Sequence, residues 1–219
     1  MQQPQPQSTT VALRSKPNSQ NTSALAHLQE RILQCRQCQQ HGYIAVARPI
    51  VCGRASDHLF VIGQAPGHRS VSNNLPFSGP GGRVLQQWLE QAGFPPGYLH
   101  EKTYLSSLTR CDPGKNSRGN GDRRPSPPEL ALCRPFLEAE LQLVHPKVIL
   151  LVGTMAIEAF FGQCKLVDVI GTYQEREDTL WLPLPHPSGV SRWLNDPEHQ
   201  KLHKNALALL AQWRERYNL

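Results

Sequence analysis

The chain has 219 residues, 18% of them charged, with 23 Lys and Arg against 17 Asp and Glu and a formal net charge of +6 at pH 7. That length buries one good core, and no apolar run approaches the roughly 20 residues a membrane span needs, so a membrane protein is not expected. The basic excess suits a protein that meets polyanions but identifies none of them.

The first 23 residues, MQQPQPQSTTVALRSKPNSQNTS, are rich in Gln, Pro, Ser and Asn, and Arg14 and Lys16 are their only charged side chains. This composition predicts a disordered tail with neither signal nor transit character. From residue 24 the pattern turns helical, with Ser23 as N-cap and Leu25, Leu28, Ile32 and Leu33 on one face. The helix runs into Cys35 and Cys38. Strands are expected near residues 48–52 and over 58–62, the second ending in GQAPG at residues 63–67. A helix over 82–92 buries Val84, Leu85, Trp88 and Leu89, and Gly93 ends it.

Residues 102–108 read as a strand that ends at Thr109, Arg110 and Cys111. The next stretch, DPGKNSRGNGDRR, is polar, basic and Gly-rich, and reads as a loop. Ser126-Pro-Pro-Glu129 is a capping box with Pro at the first helical position, opening a helix through Leu143 that carries Cys133. Residues 148–152 form a wholly apolar strand of the kind buried on both faces, and Thr154 is expected to cap a helix to Phe161. A strand over 179–184 ends in PHPSGVSRW, and a last helix spaces Leu202, Ala206, Leu209, Leu210 and Trp213 along one side. Alternating strands and helices predict an α/β fold with three layers, one domain over residues 24–219 behind the tail. In such sheets ligands bind beyond the carboxyl ends of the strands. The loops at Gln64, Ser107 and His186 are therefore candidates for one site.

Six cysteines without an export signal suggest a reducing compartment. Cys35-x2-Cys38, Cys111 and Cys133 flank the basic loop, and four thiolates there can hold either a [4Fe–4S] cluster or a structural zinc. Their spacing does not choose between the two. Cys52 and Cys164 lack a close partner and are expected as packed core thiols.

Together these pieces resemble the uracil-DNA glycosylase superfamily, most closely its iron–sulfur branch, often called family four, over about residues 24–217. The resemblance rests on the cysteine quartet, GQAPG at 63–67, LPFSGPGG at 75–82 and HPS at 186–188. It implies an α/β/α sandwich around a short, mainly parallel four-stranded sheet. It implies a structural [4Fe–4S] cluster on Cys35, Cys38, Cys111 and Cys133, with zinc as the alternative. The implied reaction is hydrolysis of the N-glycosidic bond of uracil, or a related deaminated base, flipped out of DNA. No lysine stands at a catalytic position, so a monofunctional hydrolase is expected.

By the same resemblance His186 donates to uracil O2 and Phe77 is the stacking ring, while Gly63, Gln64, Ala65, Pro66 and Gly67 line the pocket. Lys115, Arg118, Arg123 and Arg124, on a loop longer than the family's, would meet phosphates. After His186, Ser188 and Ser191 would also contact phosphates, Val190 would wedge into the minor groove, and Arg192 would add a basic contact. Trp193 is left between core and interface. Two residues depart from the family pattern. Gln64 stands where Glu is usual, and an amide orients water without acting as a base. Ser107 stands where Asn usually reads the base edge, and a hydroxyl lacks the paired donor and acceptor of an amide. His68 is a nearby substitute for handling water. The expected protein is a cytoplasmic monomer that associates with the nucleoid through DNA. Gln64 and Ser107 favour a competing reading, a member of the fold that binds DNA or a damaged base without cutting it. A third is a zinc-stabilised hydrolase of small nucleosides.

Overall fold

The computed structural model describes residues 19–117, 119, 121–188 and 192–219. Most of the expected tail lies outside the described residues, as do the expected DNA contacts Arg118, Val190 and Ser191. In chain order the elements are α1 Ser19–Gln34, α2 Gln37–Gln40, β1 Leu59–Gly63, α3 His68–Ser72, α4 Pro80–Gln91, α5 Tyr98–Glu101 and β2 Thr103–Ser107. They continue with α6 Pro127–Val144, β3 Val148–Val152, α7 Thr154–Phe161, α8 Leu166–Val169, β4 Gln174–Arg176 and β5 Thr179–Leu184. A 3₁₀ turn at Trp193–Asn195 leads into α9 Pro197–Tyr217. None of the described helices is long and apolar enough to cross a membrane.

The sheet order is β2-β1-β3-β5-β4. The first four strands are parallel, with Gly63 opposite Ser107, Leu59 opposite Val148 and Val152 opposite Leu184. Every residue of β1, β2 and β3 is buried, which is why these segments read as unbroken apolar or small runs. Side chains alternate between two cores. Leu59, Val61, Leu105, Leu150 and Leu182 pack under α4, α5 and α9, while Phe60, Ile62, Tyr104, Ile149 and Trp181 pack under α1, α6 and α7. The α/β/α sandwich is as the sequence predicts.

The four-stranded sheet needs one correction, because β4 adds a fifth, antiparallel strand at the edge. It is three residues long and fully exposed, so it has no apolar alternation to betray it. Glu177 and Asp178 join it to β5 with φ of 49° and 62°. Two left-handed residues make the tight hairpin turn, in a place where Asn-Gly would have been the readable signal.

The strand expected at residues 48–52 is not formed. That segment instead runs beside the outer edge of β2, where the Ile50 N–H donates to the Arg110 carbonyl (3.1 Å) and the Leu105 N–H to the Cys52 carbonyl (2.9 Å). Pro49 has no N–H to offer a ladder, and Gly53 packs so closely on Tyr104 that no side chain fits, so pairing stays fragmentary. It nonetheless covers an edge that would otherwise be open. α1 begins at Ser19, ahead of the expected Ser23 cap, and Leu33 is exposed whereas Leu25, Leu28 and Ile32 are buried. Gly153, with φ +86°, takes the cap of α7, displacing Thr154 to the first helical position. The capping box at Ser126 and Glu129 forms as expected.

Candidate active site

Three strands end on the same side and bring their loops together. Directly after β1, Gln64 and His186 line a single cavity of ≈150 Å³ with Arg124, Val152, Gly153, Thr154 and Met155. Drug-sized ligands take roughly 300–1,000 Å³, so this cavity suits one small ring. A wider hollow of ≈480 Å³, lined by Gly53, Arg54, Asp57, His100, Glu101 and Lys102, opens near the amino ends of β1 and β2. Its polar groups are largely taken: Arg54 pairs with Asp57 at 3.3 Å and bonds the Glu101 carbonyl. The smaller cavity, where unpaired polar groups converge at the strand ends, is the candidate site.

His186 is held in one tautomer. The Ser188 N–H donates to its Nδ1 (3.2 Å), so Nδ1 is the acceptor and the proton sits on Nε2. The ring edge is exposed at the cavity, yet the protein around it strips water and lowers its pKa below the usual imidazole value. The site therefore offers a neutral N–H donor. Close packing holds the ring down: a Cβ on Gly153 would sit 3.0 Å from His186 Cδ2, so this position must be glycine.

Phe77 is not among the residues that line this cavity; its ring packs over the end of β1, at Gly63. A Cβ on Gly63 would be 2.9 Å from its ring Cζ. Phe77 has φ +55°, a left-handed conformation that an aromatic residue rarely takes. Two contacts hold it there. The His100 Nε2–H donates to the Pro76 carbonyl (3.0 Å), and Gly82 of α4 lies directly against the Phe77 carbonyl. A Cβ on Gly81 would lie 3.6 Å from Pro187 Cγ, so the start of α4 runs close beside the His186 loop.

Of the remaining expected pocket residues, Pro66 is buried and Ala65 and Gly67 are half-buried beside Gln64. Ser107 is buried opposite Gly63, but its hydroxyl donates to the Thr109 carbonyl at 2.7 Å, leaving only acceptor capacity. His68 is exposed at the start of α3. Gly153, Thr154, Met155 and Arg124 as cavity lining were missed from sequence. The VGT that follows β3 could have signalled the first two, since ligands gather at the carboxyl ends of such strands.

The basic loop is more internally bonded than its composition suggests. Lys115 pairs with Asp122 (2.8 Å), and Arg123 grips both oxygens of Glu129 (2.7 Å each) and donates to the Tyr43 carbonyl. Glu129 is thereby held below the ordinary carboxylate range, its burial outweighed by Arg123 and Ser126. Arg124 and Arg192 are exposed, and Ser188 is half-buried. Trp193 is half-buried and stacks flat on His199, with ring centroids 4.3 Å apart.

The cysteine quartet gathers on the far side of this loop. Cys35 lies between α1 and α2, Cys38 on α2, Cys111 just beyond β2 and Cys133 on α6. Cys38 and Cys133 are buried and Cys35 and Cys111 half-buried, with Ile44, Ala47 and Leu132 packed around them. Burial and the neighbouring sulfurs push the Cys38 thiol up to about 11 and the Cys111 thiol up to about 12. Burial also raises Cys133, opposed by the backbone N–H of Arg110, which bonds its sulfur; the Arg48 N–H does the same for Cys111. A buried pair, Arg110 and Glu140, joined also by Ser106 Oγ (2.9 Å), pins the end of β2 to α6 and so fixes Cys111 near Cys133. Among the described residues no three Cys, His, Asp or Glu side chains close to the spacing of a single metal ion. Cys52 and Cys164 stand apart, packed against separate cores.

Comparison with known proteins places the chain in a family. The family model for the uracil DNA glycosylase superfamily matches residues 52–211, from the edge of β2 into α9. A type-4 uracil-DNA glycosylase of Thermotoga maritima is 28% identical over 170 residues, covering 74% of this chain and 81% of that protein. One from Sulfurisphaera tokodaii is 23% identical over 189 residues, covering 82% and 80%. One from Pyrobaculum aerophilum is 28% identical over 177 residues, covering 77% and 85%. With the family model matching well over half of its length, the chain belongs to the uracil DNA glycosylase superfamily.

Proposed function

We propose that this protein is a monofunctional DNA repair glycosylase that hydrolyses the N-glycosidic bond of uracil, or a closely related deaminated base, flipped out of DNA. The observation that carries the reading is His186: a neutral imidazole, clamped by Ser188, with its Nε2–H unpartnered among the described residues at a cavity sized for one base. As the bond breaks, positive charge builds on the sugar and negative charge on the base. A fixed donor in a partly dried site is strengthened where that negative charge develops, on the scale of roughly 3 kcal/mol for one oxyanion-hole donor. Phe77 offers a ring for the base to stack on, and its left-handed backbone is strain of the kind stored at functional sites. Gln64 orients the attacking water through its amide. Bond breaking that runs ahead of water attack asks little of a general base.

Cys35, Cys38, Cys111 and Cys133 would hold a [4Fe–4S] cluster. Four cysteines brought together, with N–H donors on two of the sulfurs, support a metal centre of thiolate ligands, and the family resemblance favours a cluster over zinc. When bound, the cluster supplies cross-links among α2, the β2 end and α6, and the chemistry at His186 does not pass through it. Arg192 and Ser188 would meet phosphates, with Lys115 available if Asp122 releases it. The protein would act as a monomer on DNA in the cytoplasm or nucleoid.

The test is strand scission, after alkali, of oligonucleotides carrying one uracil opposite G, opposite A or unpaired, with iron-replete protein beside His186→Ala. The expected result is excision by the wild type and a loss of at least about 100-fold in the variant, as when an oxyanion donor is removed. Wild-type protein that binds such DNA with its cluster intact and releases no base would sink the reading and leave a binding protein.

A further inference from the structure

Arg124 forms part of the wall of the cavity that Gln64 and His186 share. Its cationic neighbours on the same loop are engaged, Lys115 by Asp122 and Arg123 by Glu129. The Arg124 guanidinium has no hydrogen bond or ion pair among the described residues. The other lining residues are Val152, Gly153, Thr154, Met155, the Gln64 amide and the neutral His186. Arg124 is thus the only formally charged group lining the cavity among the described residues.

The loop that carries it is fixed against the cavity. The Arg123 N–H donates to the Gly114 carbonyl (2.9 Å), closing the loop at its base. Asp122 lies so near the first motif that a Cβ on Gly67 would be 2.8 Å from its Oδ2. Gln64 Nε2 donates, at a long 3.5 Å, to the Arg123 carbonyl, which belongs to the peptide leading into Arg124. Pro125 is buried immediately beyond. A glutamate at position 64 could not donate to that carbonyl, and it would add a negative charge to the same cavity wall. The neutral amide does the opposite, steadying the loop and leaving the cation free.

We propose that Arg124 is an electrostatic catalytic residue for base release, its charge left unpaired by Gln64 and directed at the anion that the departing base becomes. This rests on the excision reading above. The C1′–N bond breaks with its electron pair going to the base, whose charge spreads over the ring nitrogen and carbonyl oxygens. Water then adds its hydroxyl to C1′, and its remaining proton neutralises the released base. A cation beside the base stabilises the charged stage more than the bound ground state, which is what raises the rate. A phosphate contact would instead strengthen DNA binding alike for every base.

The two roles separate by leaving group. Fluorine at C5 makes the uracil anion more stable, so 5-fluorouracil needs less help to leave. Single-turnover excision of uracil and of 5-fluorouracil from one duplex sequence would be measured for wild type, Arg124→Ala and Arg124→Lys. The expected result for Arg124→Ala is a fall on the order of 10- to 100-fold for uracil and a clearly smaller fall for 5-fluorouracil, with Arg124→Lys between. Equal falls for both bases, with weaker DNA binding whose salt dependence is reduced by about one counterion, would overturn the proposal in favour of a phosphate contact. No fall for either base would overturn it as well. Wild-type protein that releases neither base would instead refute the excision reading.

Discussion

At the scale of single residues, the site turns on which atom holds a proton. The Ser188 N–H occupies His186 Nδ1 only while that nitrogen is bare. Protonation would set two donors against each other and push the ring out of place, although the imidazolium is itself a good donor. Desolvation holds the pKa of His186 below the ordinary 6.5, so the neutral form is still the major one at pH 6.5. Single-turnover rates should therefore fall to half only on the acid side of pH 6.5. A rate that already halves at or above pH 6.5 would contradict a neutral donor. His186 and Gln64 were legible in the sequence because short motifs at strand ends announce themselves. Arg124 was legible only as a charge. Its place in the cavity depends on how residues 121–125 fold over Gly67, and on Glu129 capturing the neighbouring Arg123, neither of which local sequence encodes.

At the scale of elements, helix α4 shapes the pocket through a side chain that it lacks. A Cβ at Gly82 would fall 1.4 Å from the Phe77 carbonyl oxygen, an overlap that no rotamer relieves because both partners are backbone. Gly82→Ala must therefore move the Phe77 loop, and a ring shifted by about 1 Å can cost roughly 100-fold in rate. Gly79 precedes the same helix, yet its Cβ would meet only Arg69 Cβ at 3.9 Å, an ordinary contact. Gly79→Ala is the matched control and should excise within a few-fold of wild type. Equal, near-normal rates for both variants would show that Phe77 need not hold its left-handed pose. The wholly apolar β3 and the Ser126–Glu129 capping box could be read directly because their signals are local and dense. β4 could not, since its turn uses Glu177 and Asp178 in place of glycine and its side chains all face water.

At the scale of the whole molecule, α9 closes the core beneath α4, and it does so over a buried histidine. His203 is 7% exposed, its ring centroid lies 4.4 Å from that of Trp88, and its Nε2 has no hydrogen-bond partner among the described residues. Burial lowers its pKa from 6.5 to about 4. The folded state thus refuses a proton that the unfolded chain accepts. Stability is unaffected above pH 6.5, declines as pH falls from 6.5 towards 4, and levels off below that as the folded form also titrates. Because a tenfold change in proton affinity is worth about 1.4 kcal/mol, the full loss is roughly 3 kcal/mol. That is a large share of the roughly 5–15 kcal/mol that keeps a typical domain folded. Carboxylates titrate in the same window, so the contribution of His203 is isolated by difference. Urea unfolding of wild type and His203→Phe would be compared at pH 7 and pH 4.5, the phenyl ring preserving the packing against Trp88. The variant should lose about 2 kcal/mol less than wild type between the two pH values. Equal losses would mean that α9 lifts to let His203 charge, and that the core of this molecule is sealed less firmly at α9 than its burial implies.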